Sequence, residues 1–230
     1  MNLHEVMNKL KKLGNESTKK VFIRHGAKEP FYGVKIEELK KIQKKIKVDQ
    51  NLAMDLYETG NSDAMYLAGL IVDPSKMTKT DLNNWAKKAY WYLISEYTIS
   101  SVAARSKHGK SIALKWIDSP KENIASAGWA TLSTILVLQS EINITANEVE
   151  GLLDRVSRTI HTSLNRVRYT MNGFVIAVGS YVPSMTKKAI KTANQIGKVN
   201  VNMGQTACKV PPAAEYIAKG INRQKKKKAT

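Results

Sequence analysis

Apolar residues recur at three- and four-residue steps along almost the whole chain, which is the spacing of one buried helix face. Residues 3–13, 35–47 and 122–139 each carry such a stripe. Capping-box patterns at Thr78 and Thr145, a hydroxyl residue followed three positions later by an acid, mark the starts of two further helices. Because nearly every segment has the helical period, the sequence predicts an all-α protein.

Turn markers divide the predicted helices into antiparallel pairs with a repeat of roughly 35 to 45 residues. These markers are Gly60, Pro74, Gly109, Pro120, Asn143 and Pro183. Stacked helix pairs build a superhelical solenoid whose concave face is lined by one helix of each pair. An irregular helical bundle is the alternative.

The end of the chain departs from the helical period. Residues 198–210 alternate apolar and polar residues, but they are broken by glycine and followed by two prolines, so an extended loop is predicted. A last helix is expected over 213–221. The predicted organisation is a single α-helical repeat domain, residues 1–222, followed by a disordered basic tail, residues 223–230.

Residues 85–97 hold two tryptophans and three tyrosines. A stripe spaced as a buried helix face runs through this stretch and its flanks: Leu82, Trp85, Ala89, Leu93, Tyr97 and Ser100. The capping box at Thr78 opens a helix that reaches about Lys88, and the aromatic stretch continues as a second helix toward Arg105, on which Trp91 and Ser95 share a different face. The rings either fill the core at a helix–helix junction or form a surface on which nucleic-acid bases stack.

Positive charge is concentrated at the two ends of the chain. The formal net charge is +18, and residues 151–230 carry 15 Lys/Arg against 2 Asp/Glu. Residues 1–50 carry 13 against 6, whereas residues 51–150 carry 9 against 11. This asymmetry favours a polyanionic partner, most often nucleic acid.

Cysteine and histidine usage predicts neither a disulfide framework nor a metal site. Cys208 is the single cysteine, and the four histidines are scattered without ligand spacing. No apolar signal core begins the chain and no run approaches the roughly eighteen apolar residues of a membrane span. We therefore expect a soluble, cytoplasmic monomer without cofactor, metal or membrane contact.

Familiar catalytic motifs are absent, including phosphate-binding glycine loops and nucleophile elbows. A general base would have to be a carboxylate. The last eighty residues contain only Asp154 and Glu215. The middle segment offers more candidates: Asp55, Glu58, Asp63, Asp81 and Glu96.

Several segments match one known family in order and spacing: residues 32–42, 52–60, 67–74, 115–120, 127–132, 160–161, 165–168 and 189–197. With these segments the chain resembles the HEAT-like repeat DNA alkylation repair proteins, the alkylpurine DNA glycosylases, over nearly its whole length. The resemblance implies a solenoid of HEAT-like repeats. It also implies cleavage of the N-glycosidic bond to an alkylated, cationic base.

Active members of that family use a tryptophan, an aspartate four residues later, an arginine on a later helix and a second tryptophan. Trp91 matches the first tryptophan, but Ser95 stands where the aspartate belongs. The arginine position falls near Ser126, and the second tryptophan position falls near Gly173. A serine cannot carry the negative charge that stabilises the developing sugar cation. Glu96 is adjacent, about 100° further around a helix.

The leading hypothesis is a divergent family member that binds duplex or damaged DNA, independently of sequence, through a basic concave groove. Its candidate DNA-binding residues are Trp91, Tyr92, Ser95, Arg155, Arg158, Arg166, Arg168, Lys187, Lys188 and Lys209. One alternative is an active glycosylase in which Glu96 or another carboxylate replaces the aspartate. A second alternative is a protein-binding scaffold of HEAT-like repeats.

Overall fold

A computed structural model describes residues 1–138 and 144–228 of the 230-residue chain. Within these ranges the protein contains helices and no strands, which confirms the all-α prediction. The α-helices are α1 (Leu3–Leu13), α2 (Glu16–Arg24), α3 (Ile36–Ile46), α4 (Gln50–Glu58), α5 (Ser62–Ile71), α6 (Lys79–Lys88), α7 (Ser100–Arg105), α8 (Gly109–Trp116), α9 (Glu122–Leu138), α10 (Ala146–Thr159), α11 (Asn165–Tyr181), α12 (Thr186–Ile196) and α13 (Ala213–Lys228). A π-helix, Leu93–Ile99, leads directly into α7.

Local sequence determines where several helices begin. Thr78 and Thr145 form the two predicted capping boxes, in which the threonine and the acid three residues later satisfy each other's backbone N–H groups. Asn2 forms a third with Glu5 at the start of α1. The predicted turn at Asn143 lies outside the described residues.

The helices stack as pairs in two layers, which confirms the predicted superhelical solenoid. The first helices of successive pairs begin at residues 50, 79, 109, 146 and 186, so the spacing is shorter than predicted in the first half of the chain. Their partners, α5, the π-helix with α7, α9, α11 and α13, contact one another in that order and form the inner layer. In the outer layer, α10 packs against α12.

Two hydrophobic cores fill the space between the layers. In the N-terminal core, the rings of Tyr57 and Trp85 stack with centroids 3.9 Å apart, and the Tyr57 hydroxyl donates to the Trp85 carbonyl at 2.8 Å. In the C-terminal core, Trp129 packs edge-on against Phe174 at 5.3 Å. These two rings join α9 to α11 across the inner layer.

In the aromatic stretch, the structure confirms the predicted end of one helix near Lys88 and differs from the prediction in the helix that follows. Helix α6 ends at Lys88, and the next helical segment is a π-helix with wider turns. Because the break and the π-helix both change the register, Tyr97 is 50% exposed and Leu93 is only half-buried. Ser95 instead faces the interior, where it is 1% exposed. Trp85 and Ala89 lie in the core as predicted.

The C-terminal region agrees with the prediction up to Ile221. Residues 198–210 form neither helix nor strand, as predicted. Helix α13, however, continues to Lys228 through most of the predicted tail. The added turns contain Arg, Gln and Lys, which are good helix formers, and Gln224 donates a hydrogen bond to the Ser180 carbonyl. The division into domain and tail stays a prediction. None of the described helices is long and apolar enough to cross a membrane.

Candidate nucleic-acid interface

A buried ion pair joins the π-helix to the start of α11. Arg166 donates from Nε to Glu96 Oε1 at 2.8 Å and from Nη2 to Oε2 at 2.5 Å. The side chains of Glu96 and Arg166 are 3% and 13% exposed. Two parallel hydrogen bonds of this kind fix the carboxylate in one orientation.

Aromatic and polar groups surround the guanidinium of Arg166. The rings of Tyr92 and Tyr169 each lie with their centroid 4.3 Å from it, which is within cation–π distance. Met203 Sδ lies 3.7 Å from Nη1, and Glu122 accepts the Arg166 backbone N–H at 2.9 Å. The arginine is therefore held on several sides by residues from four separate parts of the chain.

Burial and pairing act in opposite directions on the titration of this pair. Burial raises the pKa of the Glu96 carboxyl, and the hydrogen bonds from Arg166 oppose that rise. Burial lowers the pKa of Arg166, but the contact with Glu96 outweighs this effect, so its pKa is raised and it stays protonated. Glu96 is thus the counterion of Arg166, and only 3% of its side chain is exposed.

An open cleft of about 570 Å³ lies beside Arg166. We call it the aromatic cleft. Its walls come from the end of α2, the segment between α6 and the π-helix, the starts of α9 and α11, and the loop after α12. The main lining residues are Ile23, Arg24, His25, Tyr90, Trp91, Tyr92, Glu122, Arg166 and Met203.

Trp91 and Ser95 do not present the surface predicted for them. Trp91 is only 5% exposed, and its Nε1 donates to the His25 carbonyl at 2.8 Å while its ring packs on Phe22. The buried Ser95 hydroxyl donates to the Trp91 carbonyl at 3.4 Å. The core-filling interpretation therefore holds for Trp91, because the altered register turns both side chains inward. Tyr92 remains half-buried in the wall of the aromatic cleft.

A second hollow of about 460 Å³ crosses the inner layer, and we call it the hydroxyl trough. The Glu96 side chain contributes to its lining, and the other polar groups there are hydroxyls: Tyr66, Tyr97, Ser100, Ser101, Ser133, Thr134, Tyr169 and Thr170. Neither α5 nor α9 contains a lysine or arginine. The predicted basic groove therefore has a floor without lysine or arginine at this place. Sequence reasoning missed the trough because its residues come from four elements distant in sequence.

Besides Arg166, three of the predicted DNA-binding cations have partners within the protein. Arg155 donates to Asp118 at 2.6 Å, and Lys188 contacts Glu150 and Asp154 at 2.7 and 2.9 Å. Arg168 donates to the carbonyls of Ser163 and Asn200, at 2.7 and 3.2 Å. The remaining exposed cations of the predicted set are Arg158, Lys187 and Lys209.

The structure places the predicted cations at two different edges of the stack. His161 hydrogen-bonds with the Ile196 carbonyl at 2.9 Å, so the end of α10, the start of α11 and the end of α12 share one edge. Arg158, Arg166 and Arg168 belong to this edge, which we call the cleft edge. Lys187 and Lys188 lie at the start of α12, toward the opposite edge.

These features define the protein's class as a helical-repeat solenoid with an aromatic cleft at one edge. No group of three or more metal-binding side chains occurs in the described part of the chain. A family model described as DNA alkylation repair enzyme matches residues 6–217. The chain belongs to that family, which confirms the resemblance seen in its sequence.

Similar proteins match nearly the whole chain. The alignment with one solved structure covers 97% of this chain and 95% of the chain in that structure, with 37% sequence identity and a TM-score of 0.90. It is described as representing a new family of proteins related to the HEAT-like repeat DNA glycosylases with affinity for branched DNA structures. Uncharacterized protein Lin0241 of Listeria innocua serovar 6a is 39% identical, covering 93% of this chain and 95% of that protein. Uncharacterized protein Lmo0209 of Listeria monocytogenes serovar 1/2a is 38% identical, covering 94% and 96%.

Proposed function

We propose that this protein binds DNA without reading base sequence, prefers branched DNA to uninterrupted duplex, and does not excise bases. Family membership, the net charge of +18 and the described affinity of the similar solved protein support DNA as the ligand. On the sequence arguments given above, we further propose that it acts as a monomer in the cytoplasm.

The Glu96–Arg166 pair is the observation that favours DNA binding over base excision. A glycosylase needs a carboxylate that can approach the sugar and stabilise its developing positive charge. Glu96 already neutralises Arg166, and its side chain is 3% exposed. Releasing it would leave an unpaired charge in a buried site, which is strongly unfavourable.

Phosphate contacts are proposed for the cleft edge. Arg158 is exposed at this edge, and Arg168 donates to the Asn200 carbonyl in the loop after α12, which also carries the exposed Lys209. Tyr92 belongs to the cleft wall, and the hydroxyl trough offers neutral hydrogen-bonding groups that suit sugar and phosphate oxygens. Cations that neutralise phosphates give affinity that is insensitive to sequence and falls steeply with salt.

Fluorescence anisotropy across a salt series tests the proposal that the protein binds DNA through phosphate contacts. Labelled four-way junction and labelled linear duplex of equal length are titrated with protein. Six or more phosphate contacts would reduce affinity by about a thousandfold or more between roughly 50 and 200 mM salt. An affinity that does not change with salt would contradict phosphate binding.

A base-release assay tests the proposal that the protein does not excise bases. Wild-type protein and Glu96→Gln are incubated with DNA containing a cationic alkylpurine, and free base is measured. We expect no release above the protein-free background from either. Release by wild-type protein that disappears in a Glu96→Gln variant shown to be folded by circular dichroism would establish the alternative, an active glycosylase.

A pull-down with and without nuclease separates DNA binding from the scaffold alternative. DNA binding predicts that nucleic acid is captured and that co-purifying proteins are lost after nuclease treatment. A stoichiometric protein partner that resists nuclease would favour the protein-binding scaffold.

A further inference from the structure

The last turn of α2 forms a ridge between two hollows. No residue of α2 is fully buried, and two of its aliphatic side chains, Val21 and Ile23, are 43% and 53% exposed. Ile23 lines the aromatic cleft. Val21 lines a smaller hollow of about 390 Å³, whose opposite wall is formed by residues 205–208.

The ridge is anchored on both sides. Phe22, between the two exposed residues, points inward, and its ring centroid lies 5.3 Å from Trp91 and 6.3 Å from Phe31. Gly204 packs directly on the Arg24 carbonyl, because a Cβ at Gly204 would lie 2.6 Å from that oxygen. An apolar side chain can separate bases only if its backbone does not yield, and these contacts supply that support.

Val21 and Ile23 point about 200° apart on α2, and Arg24, which lines both hollows, lies with Lys20 on the face between them. Lys20 and Arg24 are exposed immediately before Val21 and after Ile23. Lys209 is exposed just beyond the wall of the smaller hollow. Apolar side chains beside phosphate-binding cations are the chemistry by which proteins wedge between DNA base steps.

We propose that Val21 and Ile23 form the two apolar flanks of a wedge, and that each packs on the open face of a base pair at a DNA branch point. Lys20 and Arg24, on the helix face between them, contact the phosphates there. In uninterrupted duplex the wedge must first separate two stacked pairs, whereas at a branch point one face is already open. The inference rests on the proposed function and assigns the residues that distinguish branched from continuous DNA.

The double variant Val21→Ser/Ile23→Gln tests the wedge. Its affinity for a four-way junction, measured by anisotropy, is expected to fall about tenfold because the apolar contact is lost. Its affinity for linear duplex is expected to stay at the wild-type value. The matched control Val137→Ser/Ile190→Gln makes the same kinds of change at residues that are 44% and 37% exposed elsewhere. We expect this control to retain the junction preference.

A fluorescent base gives a second readout. With 2-aminopurine beside the branch point, wild-type binding should change the fluorescence, and Val21→Ser/Ile23→Gln should not change it at saturating protein. A double variant that keeps both the junction preference and the fluorescence change would overturn the wedge alone. Wild-type protein that binds junction and duplex equally would overturn the wedge and the proposed branch preference together.

Discussion

The Glu96 carboxylate lies 2.5 to 2.8 Å from the guanidinium of Arg166, although 70 positions separate the two residues. Sequence reasoning identified Ser95 in place of the family aspartate and Glu96 as the nearest acid. It could not predict the ion pair, because that contact depends on how the π-helix faces α11. The same side chain that looked like a candidate base is held as a counterion.

Replacing Glu96 with glutamine should destabilise the fold by about 3–5 kcal/mol, since it leaves a buried guanidinium without its counterion. Urea unfolding followed by circular dichroism measures the change. Glu58→Gln is the matched control, because the Glu58–Lys88 pair is solvent-exposed and should contribute little. Equal urea midpoints for the two variants would show that the buried pair is not a structural element.

At the scale of elements, capping motifs predicted helix starts correctly, but the helical spacing did not predict which side chains face inward after Lys88. The capping boxes at Thr78 and Thr145 predicted the correct helix starts because the cap is made by residues within one turn. The prediction that Tyr97 faces inward was wrong, because a spacing of 3.6 residues per turn does not apply to a π-helix. Helix α13 is also longer than predicted, and its packing on α11 depends on glycine.

Gly179→Ala should weaken the contact between α11 and α13. A Cβ at Gly179 would lie 2.6 to 2.8 Å from side-chain carbons of Ile217, which is fully buried. Overpacking of this kind costs about 1–3 kcal/mol, and amide exchange in α13 should accelerate.

Gly173→Ala, on the same helix, is the matched control. Nothing lies within 4 Å of the added methyl group, so the substitution should be neutral or stabilise α11 by up to about 1 kcal/mol. If Gly179→Ala behaves like Gly173→Ala, the two helices do not require the close approach.

At the scale of the whole molecule, charge totals predict a polyanionic ligand but not the shape of the surface. The sequence located the excess positive charge in residues 151–230. The structure distributes those cations over two edges, whereas helices α5 and α9 beneath the hydroxyl trough contain no lysine or arginine. Layer membership depends on tertiary packing, so a count of charges along the chain cannot give it.

The double variant Arg158→Ala/Lys209→Ala should weaken binding to junction and duplex alike. The slope of log affinity against log salt concentration should fall by the equivalent of about one to two phosphate contacts. Lys40→Ala/Lys44→Ala removes the same charge from exposed positions on α3, which packs on α5 in the N-terminal half of the stack. This control should bind nearly as tightly as wild type. Equal losses in the two variants would mean that net charge, and not the cleft edge, determines affinity.

A competition titration tests the central claim most directly. A labelled four-way junction is bound by wild-type protein, and unlabelled junction or unlabelled linear duplex of the same length is added at constant salt. The account predicts displacement by junction at clearly lower concentration than by duplex, with every strand recovered without base loss. Displacement by both DNAs at the same concentration, or the appearance of abasic sites, would contradict it.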